Sequence, residues 1–264
     1  MPKSISFIGA GKMAAALISS VYKNKLAKSI IATDKHEENL RKIKAKFSIK
    51  TTKDNKEAVK NSDIVFICVK PQDIDNVLHE IKNEIKSQLV VSIAAGIKIS
   101  HIEGILGRKR IIRVMPNINC LAGEMAGGFS AGKYATKEDI KFIEEMLNAS
   151  GLVFFVKESQ IDALSTISGC GPAFLSYFMK HMSNAASKKG LPKEIAYKLA
   201  SKTMLGTGKL LLEKNISFDE LIGMVASKKG VTLAGLKVLE KNKTNKILEK
   251  MIYAAYKRSK ELGK

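Results

Sequence analysis

Ser4-Ile5-Ser6-Phe7-Ile8-Gly9-Ala10-Gly11-Lys12-Met13-Ala14 is the stretch that decides the fold. Ser4–Ile8 reads as a buried strand, and it runs straight into G-x-G-x-x-A. Apolar residues at helical spacing follow from Met13 to Leu26. In a strand–turn–helix of this kind the first glycine makes the tight bend and the second lets a pyrophosphate approach the backbone. The third small residue lets helix and strand pack closely. The helix N-terminus adds free N–H groups and partial positive charge for the same anion. A dinucleotide is the implied ligand.

Asp34 closes the next β-type run, Ser29–Thr33, roughly 20 residues further on, where an acid bonds the adenosine ribose hydroxyls. That position favours NAD(H). Lys35 beside it, or Lys12, can instead meet a 2′-phosphate, so the cofactor reads as NADPH or NADH.

Outward from this turn the pattern repeats. Asp63–Val69, Leu89–Ile93, Ile111–Val114 and Leu152–Val156 read as strands, and Glu37–Phe47 and Ile74–Ile85 as helices. Strands alternating with helices imply crossover units and a parallel sheet covered on both faces. From Ile161 the strand signals stop. Ile161–Ser168, Pro172–Lys189, Pro192–Asn215, Phe218–Ala226 and Thr232–Leu262 all read as helix, with a break at Gly190-Leu191-Pro192. The expectation is an α/β chain: a Rossmann-type doubly wound parallel sheet over residues 1–157, then an all-helical unit over 158–264. Helices as apolar as Ala173–Met182 are expected to pack against a second copy.

Composition bounds the rest. The chain has 264 residues, 45% of them hydrophobic, which suits a folded core and argues against overall disorder. No apolar run is long enough to span a bilayer. The start of the chain does not read as a signal peptide, so a cytoplasmic address is expected. Cys68, Cys120 and Cys170 stand far apart, with no C-x-x-C pair, which argues against disulfides and against a metal site. The net charge of +20 comes almost entirely from dispersed lysines, without interleaved aromatics. A solvated lysine surface is the expectation, and no nucleic-acid or membrane partner is.

Further motifs follow in order: Asp63-Ile64-Val65-Phe66 leading to Val69-Lys70-Pro71-Gln72, Ser92-Ile93-Ala94-Ala95-Gly96 and Arg113-Val114-Met115-Pro116-Asn117. After them come Asp162-Ala163, Ser168-Gly169-Cys170-Gly171-Pro172-Ala173 and Gly190-Leu191-Pro192. Over essentially the whole chain this series resembles the pyrroline-5-carboxylate reductases. The resemblance implies NAD(P)H-dependent reduction of a ring imine to L-proline, and a helical half that interlocks in a dimer, often within a larger ring. It places Ile8, Gly9, Ala10, Gly11, Lys12 and Met13 at the pyrophosphate, Asp34 at the adenosine ribose and Asn55 on the adenine side. Val69, Lys70 and Pro71, with Ala94, Ala95 and Gly96, line the nicotinamide end. Glu158, Val231 and Thr232 match positions near the substrate ring and its carboxylate.

Two departures stand out. Ile118-Asn119 replaces the family's Thr-Pro, and Ser227-Lys228-Lys229-Gly230 replaces Ser-Pro-Gly-Gly. Cys170 in place of the usual Ser is milder. Either departure leaves room for a reductase of another imino or oxo acid, or for a non-catalytic cofactor-binding homologue.

The chemistry itself asks little of the protein. The cofactor brings the hydride, and the protein supplies orientation and a carboxylate anchor. Ser227, Gly230, Val231 and Thr232 are read as opening the long last helix, where hydroxyls and unpaired N–H groups suit an anion; Ser227 and Thr232 can equally be caps. Thr232 can bond the product nitrogen, and Lys70 lies at the carboxyl edge of the sheet, so these two are the catalytic candidates; no general acid is assigned. His36, His79, His101 and His181 read as surface or packing residues.

Overall fold

A computed structural model describes residues 3–263. Up to Cys170, together with the chain from Ala255, it forms one compact unit; Gly171–Ala254 forms a second. The expected division at 157/158 falls inside the first unit.

The first unit is a sheet of eight strands: β1 (Lys3–Ile8), β2 (Ala27–Thr33), β3 (Lys50–Thr52), β4 (Ile64–Ile67), β5 (Leu89–Ser92), β6 (Arg110–Met115), β7 (Met125–Ala131) and β8 (Gly151–Phe155). Their spatial order is β3-β2-β1-β4-β5-β6-β7-β8. All neighbours are parallel except β6 and β7. The intervening helices are α1 (Lys12–Lys23), α2 (Glu37–Lys46), α3 (Asn55–Lys60), α4 (Ile74–Ile81), α5 (Ile99–Leu106), α6 (Lys137–Asn148) and α7 (Ile161–Ser168).

Side-chain alternation along the strands separates two cores. Ile5, Phe7, Phe66 and Val91 point to the layer of α1, α2 and α6. Ile8, Val65, Ile67 and Val90 point to the layer of α3, α4 and α5. This is the doubly wound arrangement, buried on both faces, that near-continuous apolar strands require. Phe7 and Phe66, partners in the β1–β4 register, stack with centroids 4.9 Å apart. Burying each such ring is worth about 2–3 kcal/mol.

The second unit holds α8 (Gly171–Ser187), α9 (Lys193–Lys214), α10 (Phe218–Val225), α11 (Val231–Lys241) and the start of α12 (Thr244–Leu262). Here one expectation is corrected. Thr232–Leu262 is two helices, because Lys243 takes φ +51° and turns the chain between α11 and α12. Ser227 to Thr232 therefore open the short α11 and not the last helix. The sequence reading also lacked β3, β7, α3, α5 and α6. Among the described residues no helix is long and apolar enough to cross a membrane.

Candidate functional site

β1 and β4 are sheet neighbours, while β2 and β3 lie on the far side of β1. The chain thus reverses its winding between β1 and β4, and such a switch point opens a crevice beyond the carboxyl ends of the strands. The glycine turn sits there. The Gly9 N–H donates to the Thr33 carbonyl at 2.9 Å, and the Cys68 N–H donates to the Ile8 carbonyl at 2.7 Å, so the turn is pinned to both flanking strands. Gly9 has φ +93°, and a Cβ there would lie 2.9 Å from the Cys68 backbone. Its glycine is demanded by the protein's own packing. Gly11 differs: nothing lies within 4 Å of a Cβ placed there. It is the N-cap of α1, without a side-chain cap and without an acid in the first turn. Bare backbone, open space and uncapped helical N–H groups suit a pyrophosphate. The residues present fit a dinucleotide.

The other cofactor candidates of the sheet lie at the same edge. Asp34 follows β2, Val69, Lys70 and Pro71 follow β4, and Ala94, Ala95 and Gly96 follow β5. Asp34 is bonded to the turn itself: its Oδ2 accepts from the Ala10 N–H at 2.8 Å and from Asn39 Nδ2 at 3.0 Å, and its Oδ1 accepts from the His36 N–H at 2.8 Å. Asn55 is engaged on both sides, accepting from Thr33 Oγ1 and donating to Glu80 Oε2 at 2.8 Å. Lys70 is exposed and caps the 3₁₀ turn Pro71–Asp73.

Gly96 has φ +78° and borders a cavity of about 220 Å³ lined also by Arg113, Met115, Asp162, Cys170 and Arg258. The carboxyl end of α12 closes one side of it. The Leu262 carbonyl would lie 2.9 Å from a Cβ at Gly96. Asp162 holds that end, accepting from Ser259 Oγ at 2.8 Å and pairing with Lys260 at 3.3 Å. The hydrogen bond that the Lys260 ammonium donates to Asp162 raises the Lys260 pKa. A smaller cavity, of about 90 Å³, lies by Lys3, Asp63 and Leu89 at the opposite strand ends, away from every candidate.

Glu158 lies in the first unit. Its Oε1 accepts from the Ile99 N–H at 2.7 Å and from Arg113 at 3.1 Å. Arg113 is only 5% exposed, so Glu158 neutralises a buried guanidinium on β6. Arg113 stands inside a legible motif, but its pairing with Glu158 joins residues 45 apart, which no spacing announces. Asn117 likewise ties two elements together, donating to the Ser168 carbonyl and accepting from the Ala126 N–H, both at 3.1 Å.

In the second unit Gly230 is the N-cap of α11, and no side chain caps it. Among the described residues neither Ser227 nor Thr232 makes a capping hydrogen bond at this helix start. The Ser227 hydroxyl instead lies against Gly230 and would have to turn aside for a Cβ there, with the Gly230 N–H bonded to the Ser227 carbonyl at 2.9 Å. Val231 is 93% exposed.

The histidines are surface residues, but two share a partner. His101 Nε2 meets Asp75 Oδ1 at 2.6 Å, and His79 Nδ1 meets the Asp75 carbonyl at 2.7 Å. Among the described residues no group of His, Cys, Asp and Glu is arranged to hold a metal ion. All three cysteines are free, and burial pushes the Cys68 and Cys120 thiols up.

Comparison with known proteins agrees with this geometry. Residues 158–262 match the model described as pyrroline-5-carboxylate reductase dimerisation, and residues 4–96 match NADP oxidoreductase coenzyme F420-dependent. A pyrroline-5-carboxylate reductase of Methanosarcina acetivorans is 40% identical over 99% of this chain and 98% of its own. Among solved structures, the pyrroline-5-carboxylate reductase of Coxiella burnetii superposes with a TM-score of 0.95 at 34% identity, all of both chains covered. The Plasmodium falciparum enzyme, solved with NADP bound, gives 0.88 at 28%, covering 99% of this chain and 98% of that one. The chain belongs to the pyrroline-5-carboxylate reductase family.

Proposed function

We propose that this protein reduces 1-pyrroline-5-carboxylate to L-proline with NADPH or NADH. The observation that carries the reading is near-complete coverage, 99% and 98% of the two chains, at 40% identity to a reductase of that name. The open backbone over Gly11 supports the cofactor half of it. When bound, the cofactor supplies the hydride that adds to the ring imine.

The chain's own residues bind and orient. In the Ile8–Met13 turn the N–H groups of Gly11, Lys12 and Met13 hold the pyrophosphate, those of Gly9 and Ala10 being spent on Thr33 and Asp34; Asp34 meets the adenosine ribose and Asn55 the adenine side. Val69 to Pro71 and Ala94 to Gly96 flank the nicotinamide end. The uncapped start of α11, with Ser227, Gly230, Val231 and Thr232, receives the substrate carboxylate. Thr232 Oγ1 bonds the product nitrogen, and Lys70 adds a cation at the sheet edge. Glu158 acts near the substrate through the Arg113 network it completes. Alignment of the reacting atoms, worth up to about 7–11 kcal/mol, is the main contribution asked of such a site.

Residues 158–262 match the family's dimerisation region, and the protein is a homo-oligomer. A dimer, assembled further into a decamer, working in the cytoplasm, completes the reading. The test is proline-dependent reduction of NAD(P)⁺ at alkaline pH, with Thr232→Ala alongside. Turnover in the parent and its loss in the variant, with cofactor still bound, is the expected result. Lys229, which takes φ +64° in the altered loop, motivates a substrate panel: faster NADPH consumption with another imino acid would replace the substrate but not the reaction class.

A further inference from the structure

Within that reading, we propose that the chain prefers the dinucleotide without a 2′-phosphate, NADH over NADPH, and that Asp34 sets the preference. The carboxylate is not free to move aside. Three donors, the N–H groups of Ala10 and His36 and the amide of Asn39, hold it at 2.8–3.0 Å, and one of them belongs to the pyrophosphate turn. Oδ2 takes two donors and Oδ1 only one, so Oδ1 keeps acceptor capacity. An acid fixed at the end of the second strand accepts from the ribose hydroxyls. The same fixed charge opposes a phosphate dianion in place of the 2′-hydroxyl.

The surroundings do not compensate. Glu37 and Glu38 open α2 just beyond Asp34. The cations around this strand end each already face a carboxylate in an exposed ion pair: Lys35 with Asp73 at 3.1 Å, Lys42 with Glu38 at 2.6 Å and Lys53 with Glu37 at 2.9 Å. Arg41 lies 4.0 Å from Glu37. Lys12 opens α1 beside the pyrophosphate, where a charge serves both dinucleotides equally.

The experiment is direct binding without substrate. NADH and NADPH are titrated by their own fluorescence, then displaced by 5′-AMP and by adenosine 2′,5′-bisphosphate, which differ only in the 2′-phosphate. The parent is expected to bind NADH at least about tenfold more tightly and to favour 5′-AMP among the displacers. Asp34→Ser, and the isosteric Asp34→Asn that keeps an acceptor oxygen, are expected to narrow that ratio by improving NADPH binding. Equal or tighter NADPH binding by the parent overturns the inference and leaves the reductase reading intact. An unchanged ratio in both variants also overturns it. Failure to bind either dinucleotide would sink the reductase reading itself.

Discussion

Gly9 and Gly11 stand two residues apart in one turn and are glycine for different reasons. At Gly9 the backbone is left-handed and Cys68 lies where a Cβ would go. Gly9→Ala is therefore expected to cost about 2–3 kcal/mol, seen as a lower urea midpoint. At Gly11 the space is open, so Gly11→Ala should change stability by less than about 1 kcal/mol. If the proposed cofactor site is right, it should instead raise the KM for the dinucleotide severalfold, since the methyl group would enter the space proposed for the pyrophosphate. If both variants lose stability equally, the open space is not a ligand's. Glu158 offers a second contrast. Glu158→Ala leaves the buried Arg113 guanidinium and the Ile99 N–H without their acceptor and is expected to cost about 2–3 kcal/mol. Glu158→Gln retains an acceptor oxygen and should recover part of that loss in the same denaturation measurement. The glycine motif was legible from residue order alone. The Arg113–Glu158 pair was not, because burial and long-range pairing leave no local pattern.

Among the elements, those with strong periodicity were read close to their observed bounds: β1, β2, β4, β5 and the helices from α7 to α10. Several of the misses have physical causes, though not α6, whose capping box at Thr136 and Asp139 is written in the sequence. β7 reads Met-Ala-Gly-Gly-Phe-Ser-Ala, poor in β-branched residues, and forms because β6 and β8 pair with it on both sides. β3 is three residues long, and α3 six, too short to show a period. The break between α11 and α12 was hidden because Lys243 is a good helix former placed in a left-handed turn. Relieving it is a test of that geometry. Lys243→Gly should stabilise the protein by about 0.5–1 kcal/mol, read as a raised Tm. A lowered Tm would mean that the two helices form one continuous rod.

At the scale of the whole molecule, the helical unit leaves large apolar side chains in solvent when a single copy is considered. Leu212 is 72% exposed and Met224 70%. Exposed apolar surface of this kind is what association covers. Light scattering is expected to give a mass that is a multiple of 28.9 kDa, and Leu212→Glu with Met224→Glu to reduce it. A single-copy mass for the parent would refute the homo-oligomer. Stability should also fall on the alkaline side. Burial raises the Cys120 thiol pKa, an effect partly offset by its bond with Ser150. The folded state thus keeps a proton that the unfolded chain releases above about pH 8.5. The contribution is complete below that value and is lost as pH rises toward the raised folded pKa. The buried Cys68 thiol is pushed up in the same way, so Cys120→Ala should remove only part of the decline in urea midpoint between pH 7.5 and 9.5.

What the chain's residues determined unaided was local and periodic: the glycine turn between a strand and a helix, the alternation that demands a doubly wound sheet, and the change to helix after Ile161. Hydrophobic period and backbone geometry act over a few residues, so they can be read in one dimension. Tertiary structure alone decided which polar groups are already engaged. It fastened Asp34 to the turn it serves, gave Arg113 its counter-charge, left the start of α11 uncapped and drew the end of α12 against Gly96. These outcomes depend on partners distant in the chain, competing for the same hydrogen bonds and the same buried space.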